Sequence, residues 1–132
     1  MSTRAKPEIE LAVMERDSHS CIVCGLPVAG TRGYHWSIHH RQPRGMGGTK
    51  NRHINLPSNL VVVCGHGTYG CHGRIERERA RSYDVGYLVR RPAMPAREPI
   101  LITNPTFPDG TWMWLTDDGE YADFEPELKG TQ

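Results

Sequence analysis

Two pairs of cysteines restrict the fold of this chain more than any other feature. Cys21 and Cys24 are separated by two residues, and Cys64 and Cys71 by six. Two separated thiolate pairs favour a tetrahedral zinc site, because each tight turn supplies two ligands. His66 lies inside the second pair and is an alternative ligand. Four protein ligands leave no open position for a substrate, so we expect this zinc to be structural.

The composition gives a reason for a structural metal. The chain has 132 residues, enough for one domain, but only two phenylalanines, and its mean hydropathy of -0.57 indicates a thin core. No apolar run approaches the ~20 residues of a membrane span, and the first ten residues lack the apolar centre of a signal peptide. We therefore expect a cytoplasmic protein without a membrane segment. Clustered cysteines in that compartment bind metal more often than they form disulfides, which are the alternative in a secreted protein.

The charges divide the chain into two parts. Residues 1–97 contain 15 of the 16 lysines and arginines and seven acidic residues, whereas residues 98–132 contain one lysine and eight acidic residues. This asymmetry indicates that the first part meets a polyanion. Two ordinary solvated surfaces would give the same counts, so charge alone leaves both interpretations open.

The apolar segments predict a small α+β fold. In chain order they predict a helix over 7–17, strands over 34–40 and 59–64, and a helix over 71–83. Beyond residue 91 the stretches "ILITNPTF" and "TWMWLTDDGEYADF" have strand composition, and "DDG" is typical of a hairpin turn. We expect a domain over 1–91 and an acidic β-hairpin extension over 92–132 that packs on it.

Histidines and one asparagine form a second pattern outside the cysteine pairs. His39 and His40 are adjacent, Asn59 opens the second strand, and His72 follows the last cysteine. Together with "CIVCG", "HHRQPRGMGG", "NLVVVC" and "GCHGRIE", this order resembles the HNH endonuclease family over about residues 9–82. It is most similar to HNH proteins of tailed phages that infect actinobacteria. The resemblance implies a zinc-stabilised ββα-metal domain, in which two strands and a helix surround one catalytic metal.

The resemblance also implies a role for each residue of this pattern. By position, His40 matches the general base, and Asn59 matches the residue that braces the loop and orients the base. His39 and His72 match the ligands of the catalytic metal. The family often has aspartate at the position of His39, and two imidazole ligands favour borderline metals. The implied cofactor is therefore one of Mg²⁺, Mn²⁺, Ni²⁺, Co²⁺ or Zn²⁺, beside the structural zinc.

Basic residues near this pattern predict a surface for nucleic acid. Their side chains contact phosphates without reading bases, so we expect binding to double-stranded DNA with low sequence specificity and strong salt dependence. A solvated helix face is the alternative for those in the predicted helix. The predicted DNA-binding residues are Arg41, Arg44, Lys50, Arg52, Arg74 and Arg77.

Three functions are compatible with these features. The first is a metal-dependent endonuclease that nicks or cuts double-stranded DNA. Similar phage proteins accompany the terminase during genome packaging, so the resemblance also implies a terminase partner and the host cytoplasm. The second is a zinc-stabilised DNA-binding module without catalysis, and the third is a restriction or homing nuclease with a defined recognition site. The histidine pattern favours a nuclease, because a binding module would not need it.

Overall fold

Two apolar segments form the strand pair at the centre of the fold. In the computed structural model, which describes residues 5–43 and 54–126, β1 spans Trp36–His40 and β2 spans Leu60–Cys64. The two strands pair antiparallel. β-branched valines favour the extended backbone of β2. Both strands that the sequence predicts are confirmed.

Three helices flank this strand pair. The predicted N-terminal helix is confirmed as α1, Pro7–Arg16, with proline in its first turn. The single helix predicted over 71–83 is instead two, α2 at Gly70–Arg77 and α3 at Arg79–Asp84. The chain bends at Glu78, where φ is -110° and ψ is 60°. The hydroxyl of Ser82 lies 2.9 Å from the carbonyl oxygen of Ile75 and 2.8 Å from that of Glu78, so its single proton can satisfy the Ile75 carbonyl, which a continuous helix would pair.

Both faces of the β1–β2 hairpin are buried. On one face, Leu60 and Val62 share a core cluster with Val13 of α1. On the other, Val61 and Val63 belong to the larger cluster that includes a residue of α2. Alternate residues of a strand point to opposite faces, so a strand covered on both sides needs a continuous apolar run. This arrangement explains the composition of "LVVVC".

The C-terminal part forms a second antiparallel sheet. Its strands are β3 at Ile100–Ile102, β4 at Thr111–Leu115 and β5 at Tyr121–Ala122, in the order β3-β4-β5. β3 lies within the predicted strand "ILITNPTF", and β4 and β5 pair on either side of the predicted "DDG" turn. Ile100 and Leu115 are buried in the same cluster that covers the α2 side of the first hairpin. The two sheets share one apolar core.

The helices of the described residues are all short. The longest, α1, has 10 residues, and no helix within 5–43 and 54–126 is long and apolar enough to cross a membrane. The cytoplasmic location stays a prediction. The division into units over 1–91 and 92–132 is also not tested by the fold.

Candidate active site and metal centre

The four cysteines meet at one end of β2. The Sγ atoms of Cys21, Cys24, Cys64 and Cys71 all lie within 4.8 Å of one another, and none is in a disulfide. Tetrahedral zinc with Zn–S bonds of about 2.3 Å holds its sulfurs roughly 3.8 Å apart. The Sγ atoms of Cys24 and Cys64 are 4.0 Å apart, close to that value. The predicted four-cysteine group is confirmed, and it could hold a metal ion such as zinc.

The protonation of these thiols depends on their mutual contacts. The hydrogen bond that Cys71 donates to Cys21 lowers the pKa of Cys21 to about 5. The same bond, followed by burial, raises the pKa of Cys71. Burial raises the pKa of Cys24 to about 11. A divalent cation that replaces the thiol protons would offset the repulsion among the thiolates, so the chemistry of the group fits a metal.

His66, the alternative zinc ligand, lies outside the cysteine group. Its Nδ1 accepts hydrogen bonds from the backbone N–H of Thr68 at 3.3 Å and from the Thr68 hydroxyl at 3.2 Å. Its ring makes stacked contacts with the ring of Tyr34 and with that of Tyr69. The candidate ligand set at this centre is therefore four cysteines.

His39 and His72 meet on the face of the hairpin that α2 covers. Their ring centroids are 5.2 Å apart in an edge-to-face arrangement. His39 lies opposite Val61 in the β1–β2 register, and its Nε2 donates to the backbone carbonyl of Tyr87 at 2.7 Å. With the proton on Nε2, the lone pair of the neutral ring is on Nδ1. The carbonyl of Tyr87 thus selects the tautomer that leaves Nδ1 able to bind a cation.

Burial keeps this pair of rings neutral. It lowers the pKa of His39 to about 3, and the charges of His72 and His40 act in the same direction. Burial also lowers the pKa of His72. Within residues 5–43 and 54–126, His72 Nδ1 is the only buried side-chain N or O atom without a hydrogen-bond partner. Such an atom costs about 1–3 kcal/mol, and a neutral imidazole nitrogen is a common metal ligand, so the two histidines fit a divalent cation.

His40 lies at the last position of β1, opposite Leu60 and therefore on the face toward α1. Its Nε2 is 2.8 Å from Oδ1 of Asn55. The sequence predicts that the break after the strand, over 43–48, lets both adjacent rings approach one site. Residues 44–48 lie outside the described residues, so this stays a prediction.

Asn59 joins the two ends of the segment that follows β1. Its buried Oδ1 accepts from the backbone N–H of Gln42 at 2.7 Å. Its Nδ2 donates to the carbonyls of Gln42 at 3.1 Å and Ile54 at 2.9 Å. One amide therefore holds the chain on both sides of 43–53, directly beside His40.

The prediction that Arg41 contacts DNA is wrong. It is 0% exposed, so it does not present its guanidinium to a phosphate as the sequence predicts. Burial lowers its pKa to about 9, which still leaves it charged near neutral pH. Its N–H groups donate to four backbone carbonyls, those of Ser58, Gly86, Pro95 and Glu98. Arg41 is therefore a structural residue.

The arginines of α2 are exposed. Arg74 is paired with Glu78 at 3.0 Å. Arg77 donates to the carbonyl of Thr68 at 3.5 Å and has no carboxylate partner among the described residues. Its charge is thus available to an anion. Three of the predicted DNA-binding residues lie outside the described residues: Arg44, Lys50 and Arg52.

The sequence did not indicate two contributors to this region, Asn55 and the carbonyl of Tyr87. A backbone carbonyl has no sequence signature, and an isolated asparagine in a loop is most often a turn residue. The chain gives no match to family models, to curated proteins or to solved structures. The case for a nuclease therefore depends on the residues of this site.

Proposed function

We propose that the chain is a metal-dependent endonuclease of the HNH type, which hydrolyses phosphodiester bonds of double-stranded DNA with low sequence specificity. The observation that carries the proposal is the contact between two neutral rings, that of buried His39 and that of half-buried His72, with a buried and unpartnered Nδ1 on His72. The two rings come from β1 and α2, and β2 lies between these elements in the order β1–β2–α2. A structural role alone would favour a hydrogen-bonded His72.

His39 and His72 would hold the catalytic divalent cation. Such a cation supplies positive charge to the phosphate and to the departing oxygen. The carbonyl of Tyr87 fixes the ring of His39, and the first turn of α2 places His72 beside that ring. Two protein ligands leave the remaining positions of the cation to water and substrate, unlike the four-cysteine group, where we propose one structural zinc.

His40 would accept the proton of the attacking water. Because Asn55 Oδ1 is an acceptor, Nε2 of the neutral ring carries the proton and Nδ1 is the basic nitrogen. Asn55 orients this ring, and Asn59 holds the adjoining backbone. His40 and His39 face opposite sides of β1, so the proposal requires the reacting water to lie at the end of β1, within reach of both rings.

Supercoiled plasmid tests the proposal directly. The wild-type protein, incubated with Mg²⁺, Mn²⁺, Ni²⁺, Co²⁺ or Zn²⁺ in turn, should convert it to nicked or linear forms. We expect His40→Ala to reduce the rate about 100-fold or more, the usual effect of losing a general base. His39→Ala should weaken the affinity for the catalytic metal first, so that higher metal concentration restores part of the activity.

His19→Asn is the matched control. His19 is an exposed histidine with a φ of 51°, which asparagine tolerates, and the variant should cleave at the wild-type rate. Plasmid that stays supercoiled with every metal would contradict the nuclease and favour a DNA-binding module. Equal loss of catalytic metal in His39→Ala and His40→Ala would contradict the division of roles.

The low sequence specificity is tested by sequencing the cut ends. Scattered ends are expected, because the exposed arginines of α2 offer contacts to phosphates rather than to bases. Ends at one defined sequence would instead indicate a restriction or homing nuclease. The terminase partner and the host cytoplasm are parts of the proposal that depend on the resemblance to phage HNH proteins.

A further inference from the structure

Three neighbouring aromatic rings, which we call the aromatic ladder, lie at the surface: His66 makes stacked contacts with Tyr34 and with Tyr69. The ring centroids of Tyr34 and His66 are 5.6 Å apart with an interplanar angle of 29°, and those of His66 and Tyr69 are 5.9 Å apart at 30°. Tyr34 is 63% exposed and Tyr69 is 69% exposed. Tyrosine side chains are usually more buried than this, so two exposed tyrosine rings in contact with a histidine ring need an explanation.

The ladder is held rigid by the turn that carries it. The backbone N–H of His66 donates to the carbonyl of Tyr69, and that of Tyr69 donates to the carbonyl of His66. Gly65, with a φ of +83°, permits this turn, because a Cβ at that position would lie 2.1 Å from the Tyr69 carbonyl oxygen. Thr68 fixes the imidazole through Nδ1. The backbone of this turn and the imidazole of His66 are therefore held in place before any ligand binds, which reduces the entropy lost on binding.

The surroundings of the ladder carry positive charge. Arg77 contacts the turn at the carbonyl of Thr68 and has no carboxylate partner among the described residues. Tyr69 precedes His72 by three residues, at the start of α2. An aromatic surface next to an unpaired arginine and the histidine pair suits a ligand with both ring faces and phosphates.

We propose that the aromatic ladder binds unpaired nucleobases of a DNA strand, beside the site of cleavage. This proposal rests on the proposed nuclease function and names the form of DNA that the site prefers. Bases in an intact duplex stack on each other and offer no free face, whereas an unpaired base can stack on Tyr69. Tyr69 has no ring neighbour among the described residues other than His66, so one of its faces is available. Frayed, nicked or single-stranded segments are then favoured over intact duplex.

Binding to labelled oligonucleotides tests the ladder apart from catalysis. The full-length, zinc-loaded protein carries His40→Ala to prevent cleavage, and fluorescence anisotropy gives Kd for three probes. The probes are a single strand of about 12 thymidines, an abasic strand of equal length, and a duplex of equal length. We expect the thymidine strand to bind about tenfold more tightly than the abasic strand, which has the same phosphates without bases. Tyr69→Ala should remove most of that difference and leave the abasic Kd unchanged.

Two variants separate stacking from structure. Tyr69→Phe retains the ring and should bind like the parent protein. Phe124→Ala removes an exposed aromatic ring that follows β5, 70% exposed, and should have no effect on the binding of the thymidine or the abasic strand. Equal affinity of the parent for thymidine and abasic strands would overturn the proposal, as would Tyr69→Ala that binds thymidine normally. The anisotropy assay measures binding only, so its result is independent of the plasmid assay. Base-dependent binding by a protein that does not cleave plasmid would contradict the nuclease function alone. Plasmid cleavage by a protein without base-dependent binding would contradict only the proposed role of the aromatic ladder.

Discussion

At the scale of single residues, Arg41 is a buried cation that joins separate parts of the chain. Its guanidinium donates to carbonyls of the turn before β2, of the segment after α3 and of the segment before β3. The sequence places it in a basic, glycine-rich run, where phosphate contact is the natural interpretation. Burial depends on what packs over the position, and no local pattern of residues shows that. His39 and His72, in contrast, could be paired before the structure was known, because the resemblance to HNH endonucleases implies that both hold one metal.

Arg41→Met should destabilise the protein while leaving the charge of α2 unchanged. The substitution removes the donors of four backbone carbonyls, three of them in bonds that are fully buried. Losing one partner of a buried, charged network lowers the free energy of unfolding by about 3–5 kcal/mol. Urea unfolding of the zinc-loaded protein, followed by circular dichroism, measures the change.

Arg77→Met is the matched control for Arg41→Met. It removes an exposed arginine, so its free energy of unfolding should stay within about 0.5 kcal/mol of the wild type. Its DNA affinity should instead fall, and the slope of log K against log salt should decrease by about 1. The prediction is wrong if Arg41→Met unfolds like the wild type and lowers only DNA affinity.

At the scale of elements, the cysteine group joins three pieces that are short on their own. Its ligands come from the turn after α1, from the end of β2 and from the first turn of α2. These elements were predictable because each has a local signature: a cysteine pair, an apolar run or an apolar period. The bend between α2 and α3 was not predictable, because neither glycine nor proline marks it. Ser82 compensates for it through contacts that only the folded chain makes.

Cys24→Ser should remove the zinc and most of the ordered structure. A serine hydroxyl is a poor zinc ligand, and binding of a structural zinc contributes folding free energy directly. Elemental analysis should find about one zinc per chain in the wild type and much less in the variant. Circular dichroism should show the cooperative unfolding transition of the wild type and its loss in Cys24→Ser. The turn of the aromatic ladder lies between two of the ligands, so DNA binding should be lost as well.

Leu26→Ser tests whether the cysteine itself is responsible. Leu26 is an exposed residue of the same turn, and its replacement by serine should retain zinc and the unfolding transition. A wild-type protein that is folded and free of metal would contradict the structural zinc. Cys24→Ser that unfolds but retains one zinc per chain would show that three cysteines are sufficient to bind it.

At the scale of the whole molecule, a buried polar network connects the two sheets. The hydroxyl of Tyr121 in β5 donates to Asp17 at 2.6 Å, just after α1. The other carboxylate oxygen of Asp17 accepts from the backbone N–H of Val62 in β2 at 3.0 Å, and Arg16 donates to both oxygens. Burial, and then the carboxylate of Asp17, raise the pKa of Tyr121, so the phenol stays protonated as a donor. Partners 104 residues apart in sequence leave no pattern from which this contact could be predicted.

Tyr121→Phe should weaken the contact between the C-terminal sheet and the rest of the molecule. It removes one hydrogen bond to a charged, buried group, which lowers the free energy of unfolding by about 1.5–3 kcal/mol. Urea unfolding measures this loss, and the plasmid assay should show unchanged cleavage, because Tyr121 is remote from the histidine pair in the network described. In an Asp17→Asn background the same substitution should have a smaller effect, since the two side chains act on one bond.

Tyr34→Phe is the control for Tyr121→Phe. Tyr34 is exposed and its hydroxyl has no hydrogen bond among the described residues, so the free energy of unfolding of this variant should equal that of the wild type. Equal stability of Tyr121→Phe and the wild type would show that apolar packing alone holds the second sheet in place.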